Sequence, residues 1–213
     1  SVVSRDSVRI AFMLAALNDV DLLAADIGNA YLNAPTRERV YTTAGLEFGA
    51  ELQGQSVLII RALYGLKSSG AAWRAHLLAG TFQALGFTSS LADPDVWYRA
   101  ATKPDGFQYY EYLLVYVDDL LVLSHTPVII MKALEDFYRL KDGFEKPKRY
   151  LGADVVEWRF GDDVKPRWSL SSSQYVKESI KNVEAELSKS NLRLPGKAST
   201  PMPLNYRPEL DTS

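Results

Sequence analysis

The run from Tyr109 to Leu123 constrains the fold most. It reads Tyr-Tyr-Glu-Tyr-Leu-Leu-Val-Tyr-Val-Asp-Asp-Leu-Leu-Val-Leu, two β-prone stretches broken by a single pair of acids. Runs of this composition interrupted by turn-forming residues predict a tight antiparallel hairpin with Asp118 and Asp119 at its turn. Two adjacent carboxylates in an apolar setting repel each other and resist ionising together. Something must compensate for them, and a divalent magnesium or manganese ion suits, because hard cations take carboxylate oxygens and keep positions open for phosphates. The other reading is a solvated turn, since Asp is a common turn former.

The chain has no cysteine and only two histidines, His76 and His125, so any metal must sit on oxygen ligands. A third carboxylate would complete a two-ion site for in-line phosphoryl transfer, with the ions roughly 3.5–4 Å apart. Asp26 is the best candidate: Val20 to Ile27 reads as a short buried strand ending in Asp26, Gly28 and Asn29. No stretch approaches the roughly 20 apolar residues of a membrane span, and the first residues lack a signal peptide's pattern, so an intracellular soluble protein is expected. The absence of an initial Met and of a closing signal suggests a segment of a longer polypeptide. A net charge of −2 runs against nucleic-acid binding, which calls for clustered Lys and Arg.

Other elements follow from capping and periodicity. A first helix is expected from Ser7 to Asn18, capped by Asp6 or Ser7 and deeply buried through Ile10, Phe12, Met13, Leu14 and Leu17. β-rich runs at Val40–Thr43 and Val57–Ile60 follow a loop around Pro35. A second helix from Ser69 to Leu85 is capped by Ser68 or Ser69 and stopped by Gly86. Val96–Arg99 reads as a strand after an Asp93-Pro94 turn, and Val128–Leu140 as a helix. Tyr150–Phe160 reads as a β-rich stretch pairing with Trp168–Leu170. A last helix runs from Gln174 to Ser188, capped by Ser171 or Ser172, before a Pro-rich tail. This order predicts an α+β layer structure, an antiparallel sheet with helices packed on one face. Gly65-Leu66-Lys67-Ser68 lacks the upstream glycine spacing of a phosphate loop.

Tyr116-Val117-Asp118-Asp119 within such a hairpin resembles the reverse-transcriptase signature. Several further segments resemble, in order, the polymerase region of copia-type retrotransposons. Asp26-Ile27-Gly28-Asn29-Ala30-Tyr31 resembles the family's first motif. Ala62-Leu63-Tyr64-Gly65-Leu66-Lys67 through Trp73 resembles a segment bordering the nucleotide and template pocket, although Ser68, Gly70 and Ala71 replace the usual Gln, Pro and Arg. Tyr150-Leu151-Gly152 resembles the stretch against the primer end. Ser169 to Val176 resembles the start of a helix, and Ser199-Thr200-Pro201 a linker.

The resemblance implies a right-hand polymerase palm with partial fingers over residues 1–160, a thumb-like connection over 161–195 and an extended tail over 196–213. It implies RNA-directed addition of deoxynucleotides to a primer 3′ end, with two Mg2+ ions (Mn2+ substituting) held by Asp26, Asp118, Asp119 and the backbone carbonyl of Ile27. Asn29, Ala30, Tyr31, Gly65 and Lys67 would contact the nucleotide, with Tyr31 under its sugar, hindering a 2′-hydroxyl. Leu151 and Gly152 would grip the primer, and Lys146, Lys148 and Arg149 would meet nucleic acid. Each has a plainer alternative: Tyr31 a core side chain, Lys67 a solvated one, Leu151-Gly152 a bend in a strand, the basic triplet a solvated patch. The implied partners are an RNA template, a DNA or RNA primer, a deoxynucleoside triphosphate, and ribonuclease H and integrase in the same polyprotein. The implied setting is a cytoplasmic virus-like particle or the nucleus, without a membrane. The rival readings are an inactive transposon-derived module that keeps nucleic-acid binding or a structural role, and a two-metal nuclease.

Overall fold

In the computed structural model, described for residues 2–158, 161 and 167–196, the chain forms two compact units, Ser1–Leu170 and Ser171–Ser213. The first unit begins with α1 (Arg5–Asn18), β1 (Asp21–Ile27), a one-turn α2 (Ala30–Asn33), β2 (Pro35–Thr43) and β3 (Ser56–Arg61). Next come α3 (Ser69–His76), β4 (Thr88–Ser89), β5 (Val96–Thr102), β6 (Gln108–Tyr116) and β7 (Asp119–Ser124). It closes with α4 (Pro127–Glu135), β8 (Leu140–Glu145), β9 (Arg149–Tyr150), β10 (Ala153–Trp158) and β11 (Arg167–Ser171).

The expected hairpin is β6–β7, and it lies inside a six-stranded sheet of order β4-β5-β6-β7-β1-β8. β2 and β3 pair separately, and β9, β10 and β11 form a small third sheet. From Leu120 to Ser124 every residue of β7 is buried, so both faces of this strand need cover. Successive side chains point to opposite faces. Leu120 and Val122, with Leu113 and Val115 across the hairpin, pack with Trp73 of α3 and with Ile130, Met131 and Leu134 of α4. Leu121 and Leu123 pack instead with Val8, Ala11, Phe12 and Ala15 of α1, together with Tyr150 and Val155 of the small sheet. The expectation of helices on one face is therefore corrected: α1 covers one face, α3 and α4 the other, because a strand apolar along both rows cannot leave either row to water.

Local boundaries show where single residues decided the outcome. α1 starts earlier than expected, with Ser4 rather than Asp6 or Ser7 as its cap; the Ser4 side chain accepts from the Ser7 N–H. Asp93 reinforces this start, accepting from Ser4 N and Ser7 Oγ at 2.9 and 2.6 Å. Only one stripe of α1 is buried: Ile10, Met13 and Leu17 are exposed, because they lie off the face that meets the sheet. Pro35, expected in a loop, starts β2. α3 takes Ser68 as its cap residue without a side-chain bond, and after His76 it widens into a π-helical turn, Leu77–Phe82, before Gly86 ends the segment at φ 79°.

The expected helix Val128–Leu140 stops at Glu135, and Leu140–Glu145 is a strand instead. β8 lacks alternation and carries two left-handed residues, Asp142 and Gly143; its pairing with β1 is what makes it a strand. Tyr150 and Ala153 pair around a Leu151-Gly152 turn, and the small sheet includes the expected Trp168–Leu170 strand. In the second unit α5 (Ser173–Lys189) matches the expected last helix, with Ser172 as cap residue and with Val176, Ile180, Val183 and Leu187 at spacings that line one stripe. The Ser199-Thr200-Pro201 segment and Phe160 lie outside the described residues.

Candidate active site

The two-residue periodicity of the strands builds the site. In β1, Leu22, Ala24 and Asp26 share one face, opposite Leu123, Leu121 and Asp119 of β7. Asp26 and Asp119 are direct cross-strand partners at the end of these two rows, which places their Cβ atoms roughly 4.5–5.5 Å apart. Asp119 also pairs with Tyr116 across the hairpin, so Val117 and Asp118 alone make the turn. The Asp118 carbonyl accepts from the Ile27 N–H at 2.9 Å and seats that turn on the end of β1. Two sequence-distant acids and the turn acid between them therefore converge.

Val117 holds φ 58°, a left-handed conformation unusual for a β-branched residue. It suits a two-residue hairpin, whose favoured turns need positive φ at the first position. The strain is supported from α3: Trp73, buried to 2 % exposure, donates from Nε1 to the Val117 carbonyl at 2.7 Å. Trp73 belongs to a segment read from sequence only as bordering the nucleotide pocket, and no local pattern signals this anchoring bond.

The electrostatics are those of crowded like charges. Burial, then the Asp118 carboxylate, then Asp26 push the Asp119 carboxyl above its ordinary value, with Lys141 pulling the other way. Asp26 is raised in the same manner by burial, Asp118 and Asp142, against Lys141. Lys141 stands opposite Asp26 in the β1–β8 pairing. Lys141 lies just past the expected end of the helix Val128–Leu140, a span that gives no sign of its place opposite Asp26. Among the described residues, no group of three or more His, Asp or Glu side chains is placed so that it could hold a metal ion. What the acids present is hard oxygen atoms in excess negative charge, the ligand type that divalent cations take.

The remaining candidates fall into three groups. The Tyr31 and Tyr64 rings meet at a 40° tilt with centroids 4.5 Å apart. Burial and then the charges of Asp118, Tyr31 and Asp26 raise the Tyr64 hydroxyl, so this aromatic pair stands within electrostatic reach of the acids. Asn29 is exposed in a left-handed conformation, Ala30 is fully buried, and Ile27 is buried with its N–H engaged by Asp118. Gly65 turns at φ 97°, and Lys67 is exposed in the turn that follows. Leu151 and Gly152 form the β9–β10 turn with φ of 46° and 80°. Beside them the enclosed Tyr150 hydroxyl has no hydrogen-bond partner among the described residues; burial and then Asp119 push it up.

Of the basic triplet, Lys146 is held at the far end of β1 from Asp26. Lys146 pairs with Asp21 at 3.4 Å and Glu157 at 3.6 Å. Asp21 is the first residue of β1, and at a strand rise of ~3.3 Å per residue it lies about 17 Å from Asp26. Lys148 reaches Glu145 at 4.0 Å, and Arg149 is exposed in β9.

Comparison with known proteins agrees with the resemblance to reverse transcriptases. A family model described as "Reverse transcriptase (RNA-dependent DNA polymerase)" matches residues 1–191. The chain belongs to the reverse transcriptase family. This reverse transcriptase domain is 27% identical over 158 residues, 72% of its length, to the retrovirus-related Pol polyprotein from transposon RE1 of Arabidopsis thaliana, covering 10% of that protein. It is 28% identical to the putative transposon Ty5-1 protein of Saccharomyces cerevisiae over 75% of its length and 49% of the yeast protein. With the Pol polyprotein from transposon TNT 1-94 of Nicotiana tabacum it shares 25% identity over 94% of its length, 14% of the tobacco protein. The chain thus spans at most about half the length of these relatives. No solved structure matches it.

Proposed function

We propose that this domain is the palm-centred core of a copia-type reverse transcriptase, adding deoxynucleotides to a primer 3′ end on an RNA template. The observation that carries the reading is the cross-strand pairing of Asp26 with Asp119, with Asp118 in the adjoining turn. Residues 1–160 would be palm with partial fingers, 161–195 a thumb-like connection, and 196–213 a linker toward ribonuclease H and integrase in a polyprotein. The setting would be a cytoplasmic virus-like particle or the nucleus. No described helix is long and apolar enough to cross a membrane.

Asp26, Asp118 and Asp119, with the Ile27 carbonyl, would hold two Mg2+ ions. Such ions, when bound, favour ionisation of a primer hydroxyl and offset charge on the triphosphate and leaving pyrophosphate. The chain supplies position. Trp73 fixes the Val117 carbonyl and with it the turn that carries Asp118. The tilted Tyr31–Tyr64 ring pair would form a wall beside the acids where the nucleotide sugar would lie, with Asn29, Ala30, Gly65 and Lys67 around the triphosphate. Leu151 and Gly152 would meet the primer strand. Lys146, Lys148 and Arg149 would meet more distant backbone phosphates, and Lys146 would do so only by giving up its ion pairs.

Primer extension on an RNA template with magnesium tests the reading. The domain should extend the primer, and Asp118→Asn should lower extension by about 1000-fold or more while template–primer binding persists. Binding without extension in the unaltered chain would favour an inactive module, and cleavage without added triphosphates a nuclease.

A further inference from the structure

Among the described α-helices only α5 has no buried residue, although it carries an apolar row. Val176, Ile180 and Val183 are 48, 44 and 47 % exposed, and the half-buried Leu187 completes the row. In heptad terms Ile180 and Leu187 stand at a, Val176 and Val183 at d, Lys177 and Glu184 at e, and Ser179 and Glu186 at g. A helix laid on a broad core widens its apolar face into e or g, whereas an a/d row with polar flanks is the narrow seam of a helix–helix contact. A helix of 17 residues is only marginally stable by itself in water and draws most of its stability from packing, so this seam calls for a facing helix.

The flanking charges select that helix. Lys177 and Glu184 are exposed, and neither side chain enters an ion pair or hydrogen bond among the described residues. Glu186, on the other flank, is already taken up by Lys189 at 2.6 Å. Lys177 and Glu184 lie two turns apart, too far to meet within the helix. The charge along this flank thus reverses sign about the middle of the seam, which makes the flank complementary to its own copy turned end for end. In a parallel pair each g position faces an e position, so Ser172 would face Lys177 of the other copy and Ser179 would face Glu184, and no opposite charges meet. In an antiparallel pair e faces e. With Ile180 against Val183 and Val176 against Leu187 of the other copy, Lys177 then meets Glu184 twice, once on each side of the twofold axis.

We propose that α5 pairs with α5 of a second copy of this chain, antiparallel, through Val176, Ile180, Val183 and Leu187 and two Lys177–Glu184 contacts. The contact uses no residue of the acid site and is independent of the polymerase reading. Four seam layers bury less than the roughly 1,200 Å² at the low end of a standard interface, so the dimer is weak and reversible.

Sedimentation equilibrium on the full chain, up to roughly 0.5 mM, tests this over the range of weak contacts. The parent chain should form a reversible dimer. Lys177→Glu sets Glu against Glu at both contacts, and Glu184→Lys sets Lys against Lys. Each variant alone should therefore dimerise about tenfold more weakly, since two attractions are lost and two repulsions gained. Both positions are exposed, so each variant should keep the circular dichroism and melting temperature of the parent. Mixing the two variants should restore association to the parent's level, because each contact again joins a Glu with a Lys. A parent chain that stays monomeric would overturn the proposal and leave the seam to another polypeptide. So would single variants that associate as the parent does, or a mixture that associates no more tightly than either variant alone.

Discussion

Neutralising Asp119 should make the protein more stable while destroying the site. Asp119 is half-buried and faces two like charges, Asp118 and Asp26, against one attractive charge, Lys141. At about 6 Å, each charge pair is worth about 0.7 kcal/mol in a water-like medium and about 3 kcal/mol at an effective dielectric of 20. Two repulsions less one attraction leave one such term, and partial solvent screening places it near 1 kcal/mol. Asp119→Asn keeps the shape and removes the charge, so its melting temperature without divalent ions at pH 7 should rise by roughly 2–4 °C.

The pH dependence has a definite sign. Because the folded-state value of Asp119 is raised, the protonated form's advantage is fully present below the ordinary carboxylate value and is lost as pH rises through the raised one. The gap between Asp119→Asn and the unaltered chain should therefore be widest near neutrality and close on acidification. Thermal unfolding followed by circular dichroism across that range measures it. A variant less stable than the parent at pH 7, or a gap independent of pH, would refute the account of crowded like charges.

Tyr31→Ala removes the ring packed against Tyr64 and should weaken discrimination against ribonucleotides by roughly 10–100-fold, the range one missing steric contact supports; unchanged discrimination in competitive primer extension would remove that role. Trp73→Phe leaves the Val117 carbonyl without its donor. It should cost about 1–3 kcal/mol in thermal or urea unfolding and lower extension activity, and a variant equal to the parent in both would show that the turn holds itself.

How far the sequence could be read depended on whether a feature was local. The β6–β7 hairpin was legible because its apolar runs and acid pair are contiguous, and β1 because its apolar run ends in Asp26. The register that sets Asp26 opposite Asp119 was not written in either segment alone; it follows from β1 pairing along β7. β8 was missed because Leu140–Glu145 has no strand pattern and becomes a strand only at the edge β1 offers. That miss left Lys141 without its place opposite Asp26. Ile10, Met13 and Leu17 were expected inside because apolar residues lie all around α1, yet only the stripe through Val8, Ala11, Phe12 and Ala15 meets the sheet. The Trp73–Val117 bond joins residues 44 apart, and no local pattern announces it.

The most direct measurement is to crystallise the domain with manganese and a deoxynucleoside triphosphate and to locate the ions by their anomalous scattering. Peaks bridging the carboxylates of Asp26, Asp118 and Asp119 and the triphosphate are what the cross-strand arrangement predicts. Manganese bound elsewhere, with these three side chains contacting no ion, would contradict it.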